Sequence, residues 1–301
     1  MFTVKWDPIQ YPSKQFGIWR MAFGFFLTFY FLRLLPYATE VYSSAGAFPH
    51  VYGPSQPALS YFPDFLLAID SPFMANLIVG ICAGLGVLIM IGFKRKGAAF
   101  FLWLLVMWLY NRNPLTDSPD YEFVNWLIFV LIFIPDGEVY SIGRKNPDWK
   151  MPMLFYWGAW IILSLGYLYA ASSKLKNNDP SWLDGSAMYY ILASDNSRLA
   201  WYGDLFQVLP RSFFLPITWS VLVVQGAAPF FAFFRTTRPW WWLMITAMQI
   251  GILLFINVPE VTFGMLLYHA FLWDQNWMDV FGGPVKNLIR QFNPSKPRQE
   301  A

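Results

Sequence analysis

Eight apolar stretches, most of them near the length of a bilayer-crossing helix, constrain this chain more than any other feature. A hydrocarbon core of about 30 Å needs about 20 helical residues. The stretches lie at about 18–38, 72–93, 98–110, 121–135, 153–173, 212–234, 240–257 and 260–274. The third and fourth are short and are expected to extend into their flanks. Only 13% of the residues are charged and 56% are hydrophobic, whereas a soluble domain carries about 25% charge. A water-soluble core could not hide so much apolar surface, so lipid must solvate much of it. The mean hydropathy of +0.39 understates this, because Trp and Tyr score as polar. Aromatics at 21% fit the two interfacial belts, where an amphipathic ring bridges hydrocarbon and headgroup. The expected fold class is an all-α integral membrane protein with about eight transmembrane helices.

Lysine and arginine alternate between the connecting segments. One side carries 14: Lys5, Lys14, Lys94, Arg95, Lys96, Arg144, Lys145, Lys150, Arg235, Arg238, Lys286, Arg290, Lys296 and Arg298. The other carries 5: Arg112, Lys174, Lys176, Arg198 and Arg211. Positive residues favour the cytoplasmic face, so both termini are expected inside. The protein is then expected in a bacterial inner membrane. The first span is too long for the apolar core of a cleaved signal peptide, and the small-residue run from Ser43 to Ala47 is too far from the start. One polytopic domain over 1–283 and a polar cytoplasmic tail over 284–301 follow. No internal repeat is visible, so the inverted-repeat signature of many transporters is missing.

Two outer loops are long, 44–71 and 174–211. The first has Pro49, Pro54, Pro57 and Pro63 and an amphipathic piece from Tyr61 to Asp70. The second has a helical piece from about Ser197 to Val208. Loops this long are usually functional or disordered. Both are aromatic-rich, so interfacial helices folded back on the membrane are expected. Cys82 is the only cysteine, and His50 and His269 the only histidines, which leaves too few ligands for zinc or haem. A net charge of +3, dispersed along the chain, does not fit a nucleic-acid partner.

The densest polar, turn-forming and aromatic segment follows the fifth span, from Lys174 to Tyr190. Ser181-Trp182-Leu183-Asp184 fits a capping box. A short helix is expected from Trp182 to about Ala193, lying in the interface plane with Ala187, Met188, Ile191 and Leu192 on its apolar face. Gly185 would let something approach the helix start, where the dipole favours an anion. Lys174 sits at the last turn of the fifth span. It either snorkels, its stem in lipid and its ammonium in water, or is partly desolvated, in which case its amine can serve as a base.

Ser173-Lys174-Leu175, followed by Ser181-Trp182-Leu183-Asp184-Gly185-Ser186-Ala187-Met188-Tyr189-Tyr190, resembles the signature "K-L…W-x-x-G-x-A/S-x-x-Y" of HTTM proteins. That family is named for a horizontally transferred transmembrane domain and includes the vitamin K-dependent gamma-carboxylases. Phe16-Gly17-Ile18-Trp19-Arg20-Met21-Ala22-Phe23-Gly24 resembles the family's opening "R-x-x-x-G" helix. The likeness covers most of 15–275. It implies that Lys174 is a base, as the matching lysine is in deprotonating vitamin K hydroquinone. An enzyme of this type would take a lipid, a quinone-like molecule or an exported peptide, and the resemblance implies the peptide option, because some small relatives act in maturation of secreted peptide toxins. The carboxylases carry a supporting histidine where this chain reads Pro135-Asp136-Gly137-Glu138, and a large C-terminal region that this sequence lacks. Glutamate carboxylation is therefore not expected.

Arg20, Arg33, Glu40, Trp182, Asp184 and Gly185 complete the candidate substrate-binding set. Arg20 snorkels at the inner end or pairs with a carboxylate of a neighbouring span. Arg33 and Glu40 share a face if the first helix runs past Pro36, within reach of Lys174. Asp70, Asp120, Glu122 and Glu260 are read as caps or solvated charges. Gln225, Gln249 and His269 are read as hydrogen-bonding groups inside the bundle. Gly80-Ile81-Cys82-Ala83-Gly84 is expected to pack closely inside the bundle, Pro229 to kink the sixth span, and Trp240-Trp241-Trp242 to anchor the interface. The competing reading is a non-catalytic subunit of a larger complex, binding lipids and partner proteins. A transporter fits less well, lacking repeats and paired midplane charges.

Overall fold

The computed structural model describes residues 11–47, 71–113, 116, 119–143, 145–176, 179–194, 199, 201–202, 204–278 and 280–282, with backbone alone at 119–120 and 260–261. His50, the piece from Tyr61 to Asp70, Arg198 and the tail lie outside the described residues, as do the side chains of Asp120 and Glu260.

Among the described residues the regular elements are helices, joined by turns and irregular segments such as 134–143 and 145–152, with no strands. The long elements are α1 (Ser13–Leu34), α3 (Pro72–Ile91), α4 (Arg95–Arg112), α5 (Pro119–Phe133), α6 (Met153–Lys176), α11 (Arg238–Phe255) and α12 (Pro259–Phe271). Shorter ones are α2 (Ala38–Tyr42), α7 (Pro180–Leu183), α8 (Ala187–Ala193), α9 (Leu215–Gly226) and α10 (Ala228–Phe233). Every expected span coincides with one of these helices or a consecutive pair. Among the described residues, three helical units are long and apolar enough to cross a membrane: Ser13–Tyr42, Pro72–Ile91 and Met153–Lys176. Tyr121–Phe133 is apolar but shorter. Phe25, Phe73 and Leu154 point outward at 63%, 72% and 76% exposure. Such a surface has lipid or another protein as its natural neighbour.

Local chemistry sets several boundaries. Ser71 caps α3 by accepting from the Met74 amide at 3.4 Å, and Pro72 fills the first helical position, where no donor is needed. Gly92, at φ 71°, ends α3 in a left-handed cap that a side chain would strain. Around Pro36 the backbone tightens into a 3₁₀ turn over Leu35–Tyr37 and continues into α2. Pro229 does more than kink the sixth span: the helix divides into α9 and α10 around Ala227, and proline occupies the first turn of α10.

The pairs α1–α3, α1–α12 and α6–α12 run antiparallel. Gly24 of α1 faces Met90 of α3, and four residues on Thr28 faces Gly86. Trp19 Nε1 donates to the Leu267 carbonyl of α12 while Gln15 reaches Trp273. Tyr156 and Ala159 of α6 meet Leu272 and Tyr268 of α12. The α1–α3 seam is closed by Gly24 and Gly86. The expected Gly80/Gly84 packing is absent: a side-chain carbon at either would meet nothing within 4 Å, because that face of α3 turns away from the bundle.

The bundle interior is built from rings. Trp160, Trp241 and Trp277 are fully buried and pack together with Tyr156 and Tyr167. This corrects the reading of Trp240-Trp241-Trp242 as an interface anchor. Trp241 is a core residue whose indole donates to the Val224 carbonyl. Trp242 donates to the His269 carbonyl, and only Trp240 is exposed. Successive residues on a helix point about 100° apart, so three consecutive tryptophans cannot share one face.

Candidate functional sites at the two ends of the bundle

Arg20 lies fully buried in α1, eight residues from its start. Its Nε stands 2.8 Å from Glu138 Oε1, and Arg95 Nε stands 3.3 Å from the same oxygen. Neither N–H is aligned for a hydrogen bond to Glu138, so both contacts are ion pairs. The guanidinium donors go elsewhere. Arg20 donates to the carbonyls of Ile89 (2.7 Å) and Met90 at the end of α3 and of Tyr140 (2.8 Å). Arg95, at the start of α4, donates to Leu131, Ile134 and Pro135 carbonyls at the end of α5. It also pairs with Asp136 at 2.9 Å. Two arginines thus cap two helix C-termini, where cations are favoured, and share one buried glutamate. Arg20 pairs rather than snorkels, but with a carboxylate from the segment after α5 and not from a neighbouring span.

The other end carries Lys174, half-buried in the last turn of α6. Its Nζ donates to the Ala170 carbonyl at 3.3 Å and stands 5.2 Å from the Trp182 ring centroid. Among the described residues no carboxylate pairs with it. Asp179, not Ser181, caps the following helix, accepting from the Ser181 amide at 3.0 Å. The expected helix from Trp182 to Ala193 is two short ones, α7 and α8, broken at Asp184 and Gly185. Gly185 adopts φ 83°, and a side-chain carbon there would lie 3.2 Å from Leu215 Cα and 3.3 Å from Trp219 Cε2. Helix α9, not a ligand, is what approaches. The expected anion site at the helix start is likewise filled: the Met188 amide donates to Thr218 Oγ1 of α9 at 3.2 Å. Asp184 accepts from the hydroxyl (2.6 Å) and amide (2.8 Å) of Ser186, which hold its carboxyl below the usual carboxylate range. Ala187 and Leu192 are buried, as the expected apolar face requires.

Gly185→Ala is expected to destabilise the protein by about 1–3 kcal/mol, from the strained φ and the contact with α9. Thermal unfolding in detergent reads it. A melting temperature equal to wild type would show that α9 does not hold this turn.

The remaining candidates are spread out. Arg33 and Glu40 are exposed at the far end of α1 and on α2, and no described contact joins either to Lys174. Helix α2 packs on α3, whereas α6 packs on α9 and α10. Tyr11, just before α1, packs on Tyr156 near the start of α6. Arg20 therefore belongs to the end of the bundle where α6 begins. Lys174 is 21 residues from that start, roughly 30 Å along the helix. Arg33 and Glu40 lie at the same end of the bundle as Lys174 but on other helices, so only Trp182, Asp184 and Gly185 of the set share its immediate surroundings.

Sequence reasoning missed the partners of Arg20. Arg95 was counted only as a topology charge, and Glu138 only as the place of a missing histidine. A polar chain through the interior was seen only in parts. Gln249 Nε2 donates to Tyr167 Oη at 3.0 Å, Tyr167 Oη meets His269 Nε2 at 3.2 Å, and His269 Nδ1 meets Thr246 Oγ1 at 3.5 Å. It joins α6, α11 and α12, the bundle role expected of Gln249 and His269. Gln225 is buried in α9 and reaches Met248 of α11.

No family model matches the chain, and no solved structure matches it significantly. It is similar to the uncharacterized protein YitO of Bacillus subtilis (strain 168), 21% identical over 213 residues. The match covers 67% of this chain and 68% of YitO. That likeness carries no activity with it.

Proposed function

We propose that the chain is a multi-pass inner-membrane protein of HTTM type, with eight spans and both termini in the cytoplasm. In this reading it acts at the outer end of its bundle on an amphiphilic substrate, a quinone-like molecule, a lipid or an exported peptide, with Lys174 as base. The observation that carries the reading is the setting of Lys174. A snorkelled lysine sends its ammonium to water. This one folds over the Trp182 ring, half out of water, with a carbonyl as its polar partner and, among the described residues, no counter-charge. Trp182 then does two things: it limits hydration of the amine and offers a face for an aromatic or acyl group. Asp184 and Gly185 shape the turn that holds Trp182 in place. Glutamate carboxylation is not part of the proposal, because the stretch from Pro135 to Glu138 is committed to Arg20 and Arg95.

Two substitutions separate base from cation. Arginine keeps the charge and the ring contact but cannot give up its proton near neutral pH. Lys174→Ala and Lys174→Arg are therefore both expected to reproduce the phenotype of deleting the gene in its host, with melting temperatures in detergent near wild type. A functional Lys174→Arg protein would sink the base.

The second reading is a non-catalytic subunit, favoured by the same ring contact taken as a structural end-point. It expects Lys174→Arg to function and the native protein to co-purify with a larger complex. Purification from the host membrane in mild detergent distinguishes the two.

A further inference from the structure

A groove of about 590 Å³ opens between α1 and the ends of α11 and α12. That is within the roughly 300–1,000 Å³ of small-molecule sites. Its walls are Ile18, Ala22, Trp242, Leu267 and Trp273. The polar atoms behind these walls are already satisfied inside the protein. Trp19 donates to Leu267, Trp242 to His269, and Gln15 to the Trp273 carbonyl. The channel therefore offers an occupant little but hydrocarbon. It runs along α1 from Ala22 to Lys14, eight residues or about 12 Å. At the Lys14 end the character changes. Lys14 is exposed at the mouth beside Gln275. The first-turn amides of the 22-residue α1 have no intrahelical partners and add positive potential there. At the opposing end of α12 the His269 and Ala270 carbonyls accept from the Leu272 and Trp273 amides, and Gln15 takes the Trp273 carbonyl just beyond the helix.

We propose that this groove holds one anionic phospholipid of the cytoplasmic leaflet, an acyl chain between α1 and α12 and the phosphate at Lys14. An apolar slot with a cation at its mouth has the polarity order of such a lipid. A neutral zwitterionic lipid fills the slot but gains nothing at the mouth. The site lies at the end of the bundle opposite Lys174, so it stands whether or not Lys174 is a base.

Native mass spectrometry of the full chain in detergent, with added phosphatidylglycerol or phosphatidylcholine of identical acyl chains, tests it. Wild type is expected to retain one phosphatidylglycerol, with about fivefold preference over phosphatidylcholine. Lys14→Ala, an exposed position, is expected to abolish the preference while leaving both lipids weakly bound. Ala22→Trp is expected to fill the slot and remove the bound lipid of either kind. Equal retention of both lipids by wild type would overturn the proposal. So would a ladder of adducts that Ala22→Trp leaves intact, which is ordinary annular lipid. Loss of preference in Lys14→Ala together with wild-type lipid retention in Ala22→Trp would place the lipid outside the groove and count against it.

Discussion

Glu138→Ala is expected to cost about 3–5 kcal/mol, the penalty of leaving a buried charge without its partner. Arg20 would lose the carboxylate it pairs with, and Arg95 would keep only Asp136. The side chains of Arg20 and Arg95 are 0% exposed, and Glu138 is the carboxylate that faces both. Each guanidinium also holds the last carbonyls of a helix, so its displacement loosens α3 and α5 together. Asp136 is the internal control. Its side chain is 59% exposed, so Asp136→Asn should cost less than about 1 kcal/mol. Unfolding in detergent, followed by tryptophan fluorescence, reads both. A double change of Arg20 and Glu138 to methionine should recover much of the loss if the pair serves to neutralise itself. A Glu138→Ala protein within 1 kcal/mol of wild type would show that water reaches the cluster.

The helices were legible because each span needs only a run of apolar residues, and that signal survives without knowing any neighbour. What was not legible is what each helix faces. Gly80 and Gly84 form the familiar spacing, yet they look outward, while Gly24 and Gly86, too far apart in sequence to form a motif, close the α1–α3 seam. Trp240, Trp241 and Trp242 are adjacent in sequence and go to three different surroundings. Arg20 shows the same limit for charge. The sequence allowed a buried pair but could not choose Glu138, which is 118 positions away and outside any span. Around Lys174 the residues of the segment were legible and their immediate geometry was not. Capping by Asp179 rather than Ser181 depends on which residue precedes the first turn, and a proline at 180 moves that turn forward by two positions. The break at Gly185 depends on α9, which arrives from 30 residues further on.

Gly24→Ala and Gly84→Ala turn this difference of facing into opposite signs. Both add one methyl group to an apolar helix, and both gain up to about 1 kcal/mol in helix propensity. At Gly84 nothing lies within 4 Å of the new carbon, so that gain stands, and the variant should be as stable as wild type or slightly more so. At Gly24 the new carbon would lie 2.5 Å from Met90 Cα. A side chain could rotate away; a helix backbone cannot, so α1 and α3 must separate. Separation also pulls on Arg20, one turn before Gly24, whose donors reach Ile89 and Met90 on the same stretch of α3. The overpacking cost of about 1–3 kcal/mol therefore falls at its upper end or beyond it. Paired thermal melts of the two variants in one detergent give the comparison directly. If Gly84→Ala proved the more destabilising, α3 would have to present its other face to α1, and the seam would have to be rebuilt around the Gly80/Gly84 stripe.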